Sequence, residues 1–226
     1  IIIGAGHAGC EAAWTTARLG KNTLMISLKK EHIARLSCNP AIGGLAKGNI
    51  VREIDALGGL MAKIGDRSSI QFRRLNTRKG LAVQSSRIQV DIDQYPAQMQ
   101  KEILNHPNIT FYEGEVAEIL THNKTVTGIR TSDGTTFDST KVILTTGTFL
   151  SGVLHKGHEK IKGGRVGESA AEQLAACLKN LGLRLGRLKT GTCPRLNGKT
   201  IDWSKTEVQA DVMTGRFSFE PQTNTL

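Results

Sequence analysis

Three apolar residues, Ile1-Ile2-Ile3, run into Gly4, and small and apolar residues then recur at helical spacing from Ala8 to Leu19 before Gly20. That order predicts a strand over 1–4, a glycine turn over 4–9 and a helix closed by a C′ glycine. The apolar segment NTLMISL at 22–28 reads as a second buried strand, which completes a βαβ unit of about 30 residues. Residues 29–47 show no clear period and end in the glycine-rich SCNPAIGGLAKG. Ile50, Val51, Ile54 and Leu57 fall on one helical face, so a helix is predicted over 48–57, ahead of Gly58-Gly59. A longer helix is predicted over 84–105, kinked or split at Pro96.

The pattern then shortens. Ile109–Glu113, Glu115–Thr121 and Thr125–Thr131 read as strands, and Asp133-Gly134 marks a hairpin turn before Thr135–Phe137. KVILTT at 141–146 is an apolar run of the kind a central parallel strand carries, ending at Gly147. A helix is predicted over 168–181, closed by Gly182, and LRLGRL at 183–188 alternates like a strand. Trp14 reads as core. Neither internal repeats nor low-complexity runs interrupt the chain. The start on Ile1-Ile2-Ile3 resembles the end of a strand that began earlier, so the chain is expected to be part of a longer protein, and 215–226 supplies no closing element.

Composition narrows the class. The chain has 226 residues, 25 of them glycine and only 5 proline, so collagen-like and proline-rich disordered chains are excluded. A chain of this length can bury a core without staples. It contains no apolar run of membrane-spanning length. Cys10, Cys38, Cys177 and Cys193 form no CxxC pair, which argues against a zinc site or a disulfide scaffold and fits a reducing, cytoplasmic setting. His155 and His158 have metal-like spacing but no third ligand, so no metal site is predicted. Thirty Lys and Arg against 20 Asp and Glu give a net charge of +10, which favours an anionic partner. Arg67, Arg73, Arg74, Arg78, Lys79 and Arg87 cluster in one stretch, and Arg184, Arg187, Lys189, Arg195, Lys199 and Lys205 in another. Aromatic residues are too few for a base-stacking platform.

The sharpest motif is Gly4-Ala5-Gly6-His7-Ala8-Gly9, a GxGxxG placed between a strand and a helix. Gly4 permits the tight turn, Gly6 lets a pyrophosphate approach the backbone, and Gly9 lets the helix pack closely. The usual ribose-binding acid at the end of the second strand is missing, with Ser27 in a position to take a weaker version of that role. An antiparallel meander ahead of the returning KVILTTG strand typifies the FAD-binding fold of the glutathione-reductase type, so FAD is favoured over NAD. The second constellation is SCNPAIGGLAKG. Cys38 stands there among residues suited to exposed backbone, with Lys47 nearby and a helix following, a setting that can activate a thiol. A buried, inert Cys38 is the competing reading.

Together GAGHAGCEAA, SCNPAIGGLAKG, EIDALGGLMAK, IQFRRLN, LTTGTFLSG and GRLKTGT closely resemble the MnmG (GidA) family of tRNA uridine 5-carboxymethylaminomethyl modification enzymes. The family's proteins are longer, so the resemblance places this chain in their N-terminal part. It implies an α/β chain with a Rossmann-like FAD-binding fold of the glutathione-reductase type, an antiparallel β-meander and the start of an inserted domain. Residues 1–150 would form the N-terminal part of the FAD-binding domain. Residues 151–226 would continue it and begin the inserted one. It implies FAD as cofactor, NADH and methylene-tetrahydrofolate as co-substrates, and tRNA as substrate. It further implies an MnmE-type GTPase as partner and a homodimer, with an aminomethyl or carboxymethylaminomethyl group installed on C5 of a wobble uridine.

By position, Gly4, Ala5, Gly6, His7, Ala8 and Gly9 would hold the FAD pyrophosphate, the Val116 backbone would meet the adenine, and Cys38 would be catalytic. The missing ribose acid agrees with the family. Leu81 and Cys193 stand where the family usually has proline, and Ala171 where it often has serine. Two alternatives remain: a folate- and FAD-dependent tRNA uracil-5 methyltransferase, against which SCNPAIGG argues, and a flavin-binding piece inactive by itself.

Overall fold

The computed structural model describes residues 1–36, 39–165, 167, 170–191, 194, 196–209 and 215–220. In chain order its elements are β1 (Ile2–Ile3), α1 (His7–Arg18), β2 (Thr23–Ser27), β3 (Ala41–Gly43), α2 (Lys47–Ala56), α3 (Met61–Arg67), β4 (Ser69–Leu75) and β5 (Ser85–Val90). There follow α4 (Gln94–Leu104), β6 (Ile109–Glu113), β7 (Val116–His122), β8 (Thr125–Thr131), β9 (Thr136–Asp138), β10 (Ile143–Leu144), β11 (Val153–Lys156), β12 (Glu159–Lys162) and α5 (Glu172–Asn180). The architecture is α/β, with one parallel sheet and several antiparallel ones. Among the described residues no helix is long and apolar enough to cross a membrane.

The chain divides into two compact units, residues 1–35 with 99–187, and residues 36–98 with 188–226. The first unit is built on a sheet of order β10-β1-β2-β6, in which every neighbouring pair is parallel. Parallel neighbours cannot be joined by a hairpin, so α1 carries the chain from β1 back to β2. Gly20, with φ 72°, follows α1 as expected. The antiparallel meander β7-β8-β9 and α5 cover this sheet. Their shared core joins Ile3 and Ile26 to Val116, Ile119, Ile129, Leu174 and Leu178. Cys177 helps fix α5 there, because the Ile119 N–H donates to its Sγ at 3.4 Å.

The second unit has a sheet of order β3-β5-β4. Its Ile42–Ile88 face packs on helices, and α3 comes so close at Gly65 that a Cβ there would stand 2.7 Å from Ile88 Cδ1. Phe217 is fully buried in this unit, edge-on to Phe72 at 6.3 Å. Asp66 accepts the Phe217 and Ser218 N–H groups, both at 2.8 Å, and Asp55 accepts Ser218 Oγ at 2.9 Å and the Phe219 N–H at 2.7 Å. Two carboxylates therefore hold residues 217–219 against the sheet.

Several expected elements shift. The helix expected over 84–105 is a strand, β5, followed by α4. Ser86, Ile88 and Val90 are buried at period two, a strand pattern rather than a helical one. Asp91 Oδ1 accepts the N–H groups of Asp93 and Gln94, so the chain turns into α4 there. Pro96 then falls in the first turn, where its missing N–H costs no hydrogen bond, and it does not kink the helix. LRLGRL at 183–188 has no regular structure, and its leucines are exposed, Leu188 fully so. Alternation without a partner strand gave a false signal. The helix α3 and strand β4 had no sequence expectation, and neither had the β11–β12 hairpin, which turns at Gly157 with φ 60°.

Candidate nucleotide cradle and basic cavity

In the first unit β1 ends against the start of α1 in a turn whose glycines have separate duties. Gly4 has φ 104°, a conformation L side chains rarely adopt, and a Cβ there would strike the Thr145 carbonyl. A Cβ at Gly9 would strike the Gly4 carbonyl and stand 2.9 Å from Thr145 Oγ1. Gly6 differs: its φ of −70° and ψ of −174° suit any residue, and a Cβ there would meet nothing within 4 Å. Gly4 and Gly9 are thus demanded by the fold itself. At Gly6 no packing requires glycine beyond its place as the helix cap, and its backbone is left open to an approaching group.

The turn is held firmly. Gly4 N–H donates to Ile26 O at 2.8 Å and Thr145 N–H to Ile3 O at 2.8 Å, while Thr145 Oγ1 reaches the Ile3 and Gly4 carbonyls, both at 2.9 Å. Ala34, at φ 53°, donates its N–H to Ala5 O at 2.8 Å. The start of α1 has no capping side chain and no acid in its first turn. A helix N-terminus so left favours an anion. Gly6 and Ala8 are exposed at this mouth, while Ala5 and Gly9 are buried beneath it. Burial lowers the His7 pKa, so its imidazole stays neutral beside the helix start. Cys10, one turn along, is fully buried, its Sγ 3.5 Å from Ala5 O, and burial pushes its thiol up to about 12.

Val116 opens β7 and is buried in the core that joins the meander to the sheet. Ala171 precedes α5, with its N–H on Phe149 O at 2.9 Å. At the end of β2 the acid missing from Ser27-Leu28-Lys29 has a neighbour: Glu113 pairs with Ser27 across β6 and accepts the Lys30 N–H at 2.7 Å. Thr145, which ties the glycine turn to β10, belongs to the TTG that ends KVILTTG, small residues expected to approach a flavin nucleotide; its bonds to the Ile3 and Gly4 carbonyls carry no sequence signal. Cys38 and Cys193 lie outside the described residues. His155 lies on β11 and His158 in the turn after it, and among the described residues no group of three or more His, Cys, Asp or Glu could hold a metal.

In the second unit Arg52, Arg74 and Arg216 line a cavity of about 440 Å³ with Phe72, Phe219 and Ser86. The Arg52 guanidinium lies 5.2 Å from the Phe219 ring centroid and 6.0 Å from that of Phe217, and its Nη2 donates to Arg216 O at 2.9 Å. The lining residues carry three arginines and no carboxylate, although Arg216 also acts on the nearby Asp66, so the cavity has a net positive lining. Only Arg74 belonged to a basic cluster in the sequence. Arg52 and Arg216 are 164 positions apart and meet only in the fold. The strand pattern also divides the first basic cluster. Arg74 and Phe72 share the cavity face of β4, and Arg73 points to the other face.

A parallel sheet with a glycine turn at the first strand–helix junction, covered by a meander, defines an α/β protein of the Rossmann-like type. More narrowly, the chain belongs to the family described as glucose inhibited division protein A, whose sequence model matches residues 1–225. The tRNA uridine 5-carboxymethylaminomethyl modification enzyme MnmG of Campylobacter hominis is 51% identical over 221 residues, 97% of this chain and 34% of that protein. The enzyme of the same name from Nitratiruptor is 53% identical over 209 residues, 92% of this chain and 33% of that protein. The structure of Aquifex aeolicus GidA superposes with a TM-score of 0.93 at 47% identity, covering 98% of this chain and 37% of that one. A GidA-related protein from Thermus thermophilus, at 19% identity and a TM-score of 0.59, shares the fold. The chain spans about a third of the length of the curated relatives it matches.

Proposed function

We propose that the protein modifies C5 of a wobble uridine in tRNA, using FAD held in the glycine cradle. The observation that carries the reading is Gly6: an open, exposed glycine at a helix start, in a turn whose other two glycines the fold itself requires. The residues fit the group. Gly4 to Gly9 would take the pyrophosphate on backbone N–H groups and the helix start, neutral His7 would add no charge there, and the Val116 backbone, at the start of β7, would meet the adenine. Residues 1–150 would then be the N-terminal part of the FAD-binding domain, with an inserted domain beginning in 151–226. Bound FAD supplies the redox chemistry, with NADH and methylene-tetrahydrofolate as co-substrates.

The chain's own contribution is a nucleophile and an anion surface. Uracil C5 is a weak nucleophile. A Cys38 thiolate adding to C6 would make C5 nucleophilic; C5 would then bond to the one-carbon unit drawn from methylene-tetrahydrofolate, and loss of the C5 proton would expel the thiolate and restore the C5–C6 double bond. The names of the relatives at 51% and 53% identity support the substrate, and the Arg52–Arg74–Arg216 cavity supplies charge for its phosphates. An MnmE-type GTPase as partner, a homodimer and a cytoplasmic location complete the reading. The test is Cys38→Ser, assayed by nucleoside analysis of tRNA after reaction. Modification is expected to fall at least a hundredfold, roughly the loss that follows removal of an essential nucleophile, while FAD stays bound. Normal modification with FAD retained would remove Cys38 from the mechanism.

A further inference from the structure

The face of the β3-β5-β4 sheet opposite the basic cavity carries an arrangement that no fold requirement explains. Arg73 on β4 pairs directly with Arg87 on β5, and Gln71 pairs with Gln89 two positions along. Directly opposed residues point to the same side of a sheet, so both arginine side chains leave it on one face, between Gln89 and Gln71, whose Nε2 donates to Gln209 O at 3.2 Å. Like charges in that position repel, and these two are half-buried on a three-stranded sheet whose middle strand carries Arg87. Neither arginine has an ion-pair partner among the described residues. Arg73 Nη1 is buried and accepted by nothing. Arg87 is held in place: with the Gln89 amide turned to satisfy both its ends, Gln89 accepts from Arg87 Nη2 at 3.0 Å and donates to Pro40 O at 3.1 Å. On the far side of Arg87 the β3 partner is Gly43, which puts no side chain beside it.

An anion would meet the open donor of Arg73 and offset the repulsion, and the planar fork of arginine matches the two oxygens of a carboxylate. The site also lies beside the proposed chemistry in the chain, since Pro40, which accepts from Gln89, is two residues from Cys38. The group named in the relatives' activity ends in a carboxymethylamino unit, an amine bearing one carboxylate. We propose that Arg73 and Arg87 bind the carboxylate of that carboxymethylamine donor and so select it over a donor amine without a carboxylate. This rests on the uridine-modifying reading above.

The test uses the protein with tRNA, FAD, its co-substrates and partner, offering glycine, the simplest carboxymethylamine, in competition with ammonium. Arg73→Gln and Arg87→Gln are each expected to lower the ratio of carboxymethylaminomethyl to aminomethyl uridine at least tenfold and to raise the KM for glycine. Lysine at either position, which keeps charge but loses the fork, is expected to fall between. Because a repulsion is relieved, each glutamine variant is expected to melt no lower than wild type. An unchanged product ratio, or a lower melting temperature marking the pair as scaffold, would overturn the proposal. A parallel loss of tRNA affinity would overturn it too, by making the pair a phosphate contact. A wild-type protein that forms neither product would instead sink the uridine-modifying reading, and this proposal with it.

Discussion

His7 and Cys10 lie three residues apart on α1, and burial acts on them in opposite senses. Each is pushed toward its neutral form: the imidazole pKa falls and the thiol rises to about 12. For His7 the unfolded value of 6.5 is the higher one, so the unfolded chain takes up its proton first as pH falls. Its contribution to stability is therefore full above pH 6.5 and is lost below it, with a slope of up to about 1.4 kcal/mol per pH unit. Urea midpoints of wild type and His7→Gln between pH 7.5 and 5.5 should show a steeper acid decline in wild type; parallel curves would contradict the account. Cys10 should resist iodoacetamide at pH 8 in the native state and react only after unfolding. Labelling of the native protein at Cys10, read by peptide mass spectrometry, would show that the turn opens.

Elements followed the sequence where one pattern dominated. The β1–α1–β2 unit, the hairpin strand β8 and Gly182 after α5 were legible, because apolar period and glycine placement agreed. The strand β5 is hidden within the stretch over 84–105 because buried Ser85 and Ser86 carry no hydrophobic signal, which masks its period-two face. Pro96 tests the corrected reading. In the first turn of α4 it costs no hydrogen bond, so Pro96→Ala should change stability by less than about 1 kcal/mol. Were it inside a helix running from 84 to 105, the same substitution would stabilise by about 3 kcal/mol. Chemical denaturation distinguishes the two.

At the scale of the molecule, a candidate site is legible only where it is local in sequence. The cradle is a run of six residues, 4–9, and reads directly. The cavity needs Arg52, Arg74 and Arg216, and the cross-strand pair needs the β4–β5 register, so neither site exists until the chain folds. The cradle also shows why a motif alone is weak evidence. Gly4 and Gly9 would be kept by packing even without a ligand, and only Gly6 separates a turn from a binding site. The most direct measurement is FAD binding by wild type and Gly6→Val, followed by flavin absorbance and fluorescence titration. A Cβ at Gly6 meets nothing within 4 Å and the residue is exposed, so the valine variant should fold, losing about 1 kcal/mol as a poorer helix cap. Wild type should bind FAD and folded Gly6→Val should bind at least tenfold more weakly. FAD binding by Gly6→Val equal to wild type, or a folded wild-type protein that takes up no FAD, would contradict the account.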